Sequence, residues 1–407
     1  MRKLAMFIFL AGILLAMAPL TAWAEEPGLT KDSVKIGVFA PLSGTFQSYG
    51  LEPYRGAMMW YKKVNAEGGI HGRKLEIVTE DDKCAGADLV AAVKKLVTSD
   101  KVFILHGGSC SAAIVSAQEY IERVQVPLVM LNASGDASLY PPVKYIFGGT
   151  SITQRGAGGS IIDFAVKYLK AKKIAYVCHD DAYGAWGLEA AEFQMKNAGL
   201  TFATLEKISR EITDATAVAL KVKQSNPDAV LIMTYDRPGT LLMKSLHELG
   251  VKDIPLVLGV TGSSNLEVIS KGVGYKEPFK KFYYQSCGLD VQGGPKVAWA
   301  DKLYKETYPE LANKPEFPSN YMYYGITSAK VVTKAFQDAG KDVTREKFLK
   351  AVENIRNFDT GSASGPITFT PEEHAGNAAS IFIKYDGEKH TLVEGSYVSL
   401  WKWQGKK

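Results

Sequence analysis

The chain has 407 residues, 46% of them hydrophobic and 22% charged, with a formal net charge of +5 to which Arg2 and Lys3 contribute two. So small an excess, with no run of basic residues and no helix-turn-helix start before the first strand, excludes a nucleic-acid surface. The apolar fraction suffices for large cores, and the length favours two lobes over one.

Met1 to Lys3 form a short basic start, Leu4 to Leu15 is almost wholly apolar, and Ala22, Trp23 and Ala24 make a small-x-small cleavage site before Glu25. This is the pattern of a secretory signal peptide over residues 1–24. Its apolar core falls short of the ~20 residues of a spanning helix. No cysteine lies near the cleavage site to carry a lipid, so the expected mature protein is exported and soluble. Export permits disulfides, and Cys84, Cys110, Cys178 and Cys287 allow three pairings. Cys84 and Cys110 each follow a strand-like run and are favoured as a pair; the alternative is four buried thiols.

Val34–Ala40 reads as a strand buried on both faces, and Tyr54, Ala57, Met58, Tyr61 and Val64 then recur at helical spacing before Gly68 and Gly69 stop the helix. A strand at Lys74–Thr79 precedes a helix with Leu89, Val90, Val93, Leu96 and Val97 on one face. Val102–Leu105 precedes a helix bearing Ile114, Gln118 and Ile121, and Pro127–Leu131 closes the series. Strand, helix, strand in this rhythm predicts a parallel sheet with right-handed crossovers. The pattern stops near Tyr145–Ser151 and restarts with strands at Ile174–Cys178, Ala229–Thr234 and Pro255–Leu258, with helices at Gly187–Asn197 and Leu241–Leu249 between them. Beyond a strand at Phe282–Ser286, Lys296–Ile355 is mainly helical, and Ile381–Tyr385 and Tyr397–Trp401 read as late strands. The helical stretch fits a chain that returns to the first lobe and leaves again. No Pro/Ser-rich linker intervenes, which favours short hinge crossings.

Doubly wound sheets bind ligands beyond the carboxyl ends of their strands. In the first lobe those positions hold Pro41-Leu42-Ser43-Gly44 leading to Tyr49, Gly107-Gly108-Ser109-Cys110-Ser111, and Asn132-Ala133-Ser134-Gly135. Such loops bring backbone N–H groups and the positive end of a helix dipole to one place, and Ser109 and Ser111 add hydroxyl donors, so a carboxylate is the natural guest. The plainer alternative makes both serines helix caps. Neither glycine-rich loop matches a phosphate or dinucleotide fingerprint. In the second lobe His179-Asp180-Asp181-Ala182-Tyr183-Gly184, Tyr235-Asp236-Arg237 and Thr261-Gly262-Ser263 follow the strands. Tyr49, Tyr183, Trp186 and Tyr235 beside an anion site suit an amphipathic small molecule, unless each ring is core packing. An enzyme could be assembled from His106, Cys110 and His179, or a metal pair from Asp81 and Asp82. GGSCS lacks the spacing of a nucleophile elbow and the histidines lack metal-ligand spacing, so no catalytic residue, metal or cofactor is expected.

IGVFAPLSGTFQSYG at Ile36–Gly50, NAEGGIHGRKLEIVTEDDKC at Asn65–Cys84 and HDDAYGAWG at His179–Gly187 resemble the periplasmic binding proteins for leucine, isoleucine and valine, which serve ABC importers. The resemblance covers essentially the whole mature chain. It implies an α/β type I fold of two doubly wound parallel-sheet lobes joined by three hinge crossings, with residues 31–150 plus 288–364 in the first lobe and 151–287 plus 365–403 in the second. It implies a Cys84–Cys110 disulfide. Carried over position by position, Ser111, with Ser109 nearby, takes the ligand carboxylate and the Ala133 carbonyl its amino group. Tyr49 covers the pocket, Tyr183 and Tyr235 close over it, and Tyr323 stands for an aromatic lining residue on a late helix.

Two departures bear on the ligand. Where amino-acid binders carry a threonine beside the carboxylate this sequence has Gly135, with Ser134 adjacent, and where they carry an acid for the ammonium it has Thr261. Burying an ammonium without a paired charge costs several kcal/mol. The expectation is therefore a periplasmic solute-binding protein, monomeric, that closes on a small carboxylate, an apolar or aromatic acid before an amino acid, and delivers it to an ABC permease. An amino acid is readmitted if Asp181 or Asp236 supplies the missing charge. A ligand-sensing receptor lobe shares the fold but needs an effector domain or membrane segment, and neither is read here.

Overall fold

A computed structural model describes residues 26–399 apart from 264–265, 313, 315–318, 378 and 397. The signal-peptide segment 1–24 lies outside the described residues, as do Tyr397 and Trp401 at the ends of the last expected strand. Five parallel strands, β1 (Ser33–Ala40), β2 (Lys74–Asp81), β3 (Ile104–Gly107), β4 (Leu128–Met130) and β5 (Ile146–Gly148), form a first sheet in the order β2-β1-β3-β4-β5. Helices α1 (Ser48–Ala66), α2 (Gly86–Thr98), α3 (Ser111–Val124) and the single turn α4 (Asp136–Leu139) connect them. The second sheet repeats that winding. Helices α5 (Gln154–Asp163), α6 (Ala182–Asn197), α7 (Thr216–Gln224), α8 (Asp236–Glu248) and α9 (Leu266–Val273) surround β6 (Ile174–His179), β7 (Phe202–Ile208), β8 (Ala229–Met233), β9 (Leu256–Leu258) and β10 (Phe282–Ser286), in the order β7-β6-β8-β9-β10. The chain then adds α10 (Ala298–Thr307), α11 (Asn320–Ala339) and α12 (Arg345–Glu353) to the first lobe, and returns through β11 (Ala379–Tyr385), antiparallel to β10, with β12 (His390–Leu392) and β13 (Val398–Ser399) beside it.

Each sheet is covered on both faces, which is why its strands read as continuous apolar runs. Val34, Ile36 and Val38 of β1 face α1, α11 and α12, whereas Phe39, Leu105 and Leu128 face α2 and α3. In the second lobe Tyr176 and Leu231 pack with α5 and α6, and Val177 and Ile232 pack under α7 and α8. In both lobes one helix crossing depends on glycine. A β-carbon on Gly325 of α11 would stand 1.8 Å from the Pro53 carbonyl oxygen of α1, and one on Gly158 of α5 would stand 2.0 Å from the Gly187 carbonyl oxygen of α6.

Three expectations are corrected. Pro127–Leu131 does not close the first sheet, because β5 follows it, and β7 has no counterpart among the expected strands. The second lobe does not begin again at 365: Ile367 and Phe369 sit in the core that includes Val34 and Ala329, and Ala375 pairs with Gly148 of β5. The third crossing therefore falls between Ala375 and Ala379, after the chain has sealed the edge of the first sheet.

Cys84 and Cys110 are bridged, with Cα atoms 5.5 Å apart and a sequence separation of 26, while Cys178 and Cys287 are buried thiols. Closing a loop of that size lowers the entropy of the unfolded chain by the equivalent of about 3 kcal/mol. Replacing both bridged cysteines by serine should lower stability by that amount in urea unfolding, with no further loss on adding reductant. Equal stability of the variant and the oxidised parent would remove the bridge from the account.

Candidate ligand-binding site

The carboxyl ends of the strands of both lobes open on one cavity. Its lining comes from the segments after β1 (Tyr49), β3 (Ser109, Ser111), β4 (Asn132, Ala133, Ser134), β5 (Ser151, Gln154), β6 (Tyr183), β8 (Tyr235) and β9 (Val260, Thr261), and from α11 (Tyr321, Tyr324). Its volume is about 20 Å³, room on the order of one water. Eight of the nine residues singled out from sequence are thus brought together, the exception being Tyr323.

Tyr323 is displaced by helical geometry. Positions 321 and 324 lie one turn apart on the face of α11 that meets the cleft, and position 323 points away from it. The Tyr323 hydroxyl donates to Asp301 at 2.6 Å inside a separate core with Met59 and Tyr304. The aromatic lining of this helix is therefore Tyr321 and Tyr324.

The first-lobe end of the cavity is polar. Ser111 is the first residue of α3, and its hydroxyl lies 3.4 Å from the Ser134 amide. Gln154, 4% exposed, opens α5 on the first crossing and donates from Nε2 to Ser134 Oγ at 2.9 Å and Ser111 Oγ at 3.4 Å. Asn132 donates from Nδ2 to the Tyr49 carbonyl at 3.1 Å. Among the described residues Ser109 Oγ, Asn132 Oδ1 and Gln154 Oε1 are buried without a hydrogen-bond partner. Buried polar atoms of this kind mark a place where a polar ligand or water is satisfied. A β-carbon on Gly135 would meet the Ser111 β-carbon at 2.9 Å, so the β4 loop lies against Ser111 more closely than a threonine would allow.

The second-lobe end is aromatic. Tyr235 lies 4.9 Å from Tyr49 and 5.3 Å from Tyr183, centroid to centroid, and Tyr321 lies 5.0 Å from Tyr324. Burial raises the phenol of Tyr49 well above its usual range and that of Tyr235 to about 12, so both are neutral donors at neutral pH. These phenols also join the lobes. Tyr49 donates to the Thr261 carbonyl at 3.1 Å and accepts from the Asp236 amide at 2.9 Å, and Tyr321 donates to the Thr261 carbonyl at 2.9 Å. The lobes are closed on one another, and a ligand larger than water enters only if these contacts part.

Among the described residues no charged side chain lines the cavity. Asp236 accepts from Ser48 Oγ at 3.1 Å and lies 3.2 Å from the Tyr49 hydroxyl, whose single proton it shares with the Thr261 carbonyl, while Asp181 caps α6 through Gly184 at 3.2 Å and faces Arg210 at 3.7 Å. Arg210 in turn covers the rings of Phe46 and Tyr235. Neither acid is among the described residues that line the cavity. Trp186 does not line the cavity either.

The groups that a catalytic set would require are dispersed. His106 lies in the core between Tyr61 and Ser328, its charge suppressed to a pKa of about 3 by burial, and Cys110 is in the disulfide. His179 accepts the Tyr235 amide on Nε2 at 2.8 Å and faces the Ile208 carbonyl with Nδ1 at 3.0 Å, which fixes its tautomer and positions Tyr235. Asp82 is buried against the Cys84 amide, and the partly exposed Asp81 accepts from the Leu42 amide, the Ser43 hydroxyl and the Lys83 amide. Among the described residues no three His, Cys, Asp or Glu side chains are grouped as metal ligands, and no helix is long and apolar enough to cross a membrane.

Asn132, Ser151, Gln154, Val260, Tyr321 and Tyr324 were not singled out from sequence. Asn132 lies two positions after β4, in the strand-end loop named from sequence, but its side chain carries no role in that reading. Gln154 follows β5, and without that strand there was no loop to inspect.

Comparison with known proteins agrees with this architecture. The chain is 27% identical over 309 residues to an amino acid binding protein of Pseudomonas aeruginosa, covering 75% of this chain and 79% of that one. It is 22% identical over 384 residues to Leu/Ile/Val-binding protein homolog 7 of Brucella melitensis, covering 92% and 90%. Among solved structures, the branched-chain amino acid transporter substrate-binding protein of Streptococcus pneumoniae in complex with isoleucine superposes with a TM-score of 0.76 at 22% identity, covering 89% of this chain and 99% of that one. A fatty acid ABC transporter substrate-binding protein of Thermomonospora curvata gives 0.77 at 20%, covering 93% and 95%. The family model described as periplasmic binding protein matches residues 33–390. With that match spanning most of its length and both lobes, the chain belongs to the periplasmic binding protein family.

Proposed function

We propose that the protein is the extracytoplasmic solute-binding component of an ABC importer, exported to the periplasm through its signal peptide and acting as a monomer by binding and release, without turnover. It captures a small carboxylate, with an apolar or aromatic acid favoured, by closing its two lobes, and hands it to a permease. The observation that carries this reading is a cavity shared between the lobes with hydroxyls and the α3 N-terminus at one end, aromatic rings at the other and, among the described residues, no charged side chain. An oriented N-terminus and two serine hydroxyls suit an anion, whereas an ammonium would be buried unpaired. Contacts such as Tyr49 and Tyr321 to Thr261 are available only to the closed state, so a ligand that adds to them shifts the population towards closure. The solved relative described as a fatty acid transporter component supports the view that this fold accepts an acid without an amino group.

A second reading has the relatives' names in its favour: a branched-chain or other hydrophobic amino acid, as for the Leu/Ile/Val-binding homologue. A thermal-shift panel of aliphatic and aromatic acids beside the matching amino acids separates the two. A ligand at 100 times its dissociation constant stabilises by about 2.7 kcal/mol. Acids should raise the unfolding midpoint more than amino acids of the same skeleton; a response confined to the amino acids would replace the first reading by the second.

A further inference from the structure

Among the described residues, two buried amide oxygens of the cavity lack a hydrogen-bond partner, beside the hydroxyls of Ser109 and Tyr183, which can donate as well as accept. Asn132, 9% exposed, has its amide direction fixed because Nδ2 donates to the Tyr49 carbonyl, and Oδ1 is thereby turned away without a partner. Gln154 spends its amide N–H groups on Ser134 and Ser111, and Oε1 is left unpartnered on the same cavity. Because the two serine oxygens accept from Gln154, their own O–H protons point elsewhere, free to donate to an anion. The polar end thus offers donors for one group and acceptors for its neighbour. The neighbour must bring hydrogens of its own. An ammonium would bring them together with a charge that no lining side chain balances. A hydroxyl brings one without a charge, and a site built to hydrogen-bond a hydroxyl discriminates strongly against an analogue that lacks it.

We infer that the ligand is a carboxylic acid with an uncharged hydroxyl beside the carboxylate, a 2-hydroxy acid, with Asn132 and Gln154 as the residues that select the hydroxyl. The inference rests on the carboxylate reading above and narrows it. Isothermal titration with 4-methylpentanoate, the two enantiomers of 2-hydroxy-4-methylpentanoate, and leucine tests both at once. One hydroxy-acid enantiomer should bind about 10-fold tighter than the plain acid, the difference made by one or two hydrogen bonds to acceptors otherwise left bare. In Gln154→Met, which keeps the length of the side chain and removes the acceptor, the ratio of the two dissociation constants should fall to within about 3-fold of unity, with thermal unfolding showing that the variant is folded. The ratio is the informative readout, because a purely structural defect weakens both acids alike. Equal affinity of the plain and hydroxy acids for the parent protein, or a preference that survives Gln154→Met, overturns the hydroxyl inference and leaves the carboxylate reading standing. Binding of leucine with no response to either acid overturns both.

Discussion

Gly325→Ala is expected to destabilise the protein by roughly 3 kcal/mol or more, the upper range for inserting a methyl group into a packed interior. The added carbon would meet the Pro53 carbonyl oxygen at 1.8 Å and the Pro53 carbonyl carbon at 2.6 Å. Both atoms belong to the backbone of α1, so no side chain can swing aside and the two helices must separate. Separation is costly because α1 and α11 hold the same core, where Ala57 and Tyr61 pack with Ala329 and Val332. It would also carry Tyr321 and Tyr324 off the cleft, since they stand on the same helix within one turn of Gly325. Urea unfolding should show a lower midpoint, and ligand binding should weaken even where the variant is folded. A variant with the parent's midpoint would mean that the helices do not cross in contact there.

Arg155→Met should cost about 3 to 5 kcal/mol at pH 8, the range for removing one partner of a buried ion pair. Arg155 bridges the lobes close to the first crossing: its backbone amide and Nη1 donate to Asp136 at 3.2 and 3.3 Å, and its Nε and Nη2 donate to Glu189 at 3.0 and 2.7 Å. Asp136 has no exposed side-chain surface, and burial already raises its pKa from 3.8 to about 6 against the pull of Arg155. The sign of the pH dependence follows. A carboxyl whose folded pKa is raised favours the folded state when neutral, so its contribution is fully present below about 3.8 and is lost as pH rises through about 6. Without Arg155 the ionised form has less compensation still, so the loss should be largest above pH 7 and should shrink towards pH 5. Adding Asp136→Asn to the variant should recover much of the loss at pH 8. A destabilisation independent of pH would show that Arg155 acts through packing and not through the Asp136 charge.

How much was legible in the sequence depended on how each element is buried. Val34–Ala40 and Ile174–Cys178 announce themselves because both faces of a central parallel strand are apolar. β7 does not, because it pairs only with β6 at the sheet edge, and Phe202–Ile208 is mostly half-buried or exposed with polar residues interleaved. β5 has three residues, too few to show a period. α5 carries Gly156, Gly158 and Gly159, poor helix formers that local propensity reads as loop. The glycine at 158 is there because α6 passes too close for a side chain, a tertiary requirement no local pattern displays. The site followed the same division. Tyr49, Ser111, Ala133 and Tyr235 sit at ends of legible strands and reach the cavity, whereas Gln154 depends on β5 and α5. On α11 the correct helix was read with the wrong face, because Tyr321, Tyr323 and Tyr324 are alike in sequence and only packing against α1 and α10 distinguishes them.

We propose that this member of the periplasmic binding protein family takes an acid in preference to a ligand bearing an ammonium. The most direct test is calorimetric titration of the same protein with leucine and with 4-methylpentanoate, two compounds that differ only in the amino group. The cavity's serine hydroxyls, its neutral phenols and the lack of a charged side chain among its described lining residues predict that the acid binds at least about 10-fold tighter, the equivalent of about 1.4 kcal/mol. Tight binding of leucine with no heat from the acid would contradict the account.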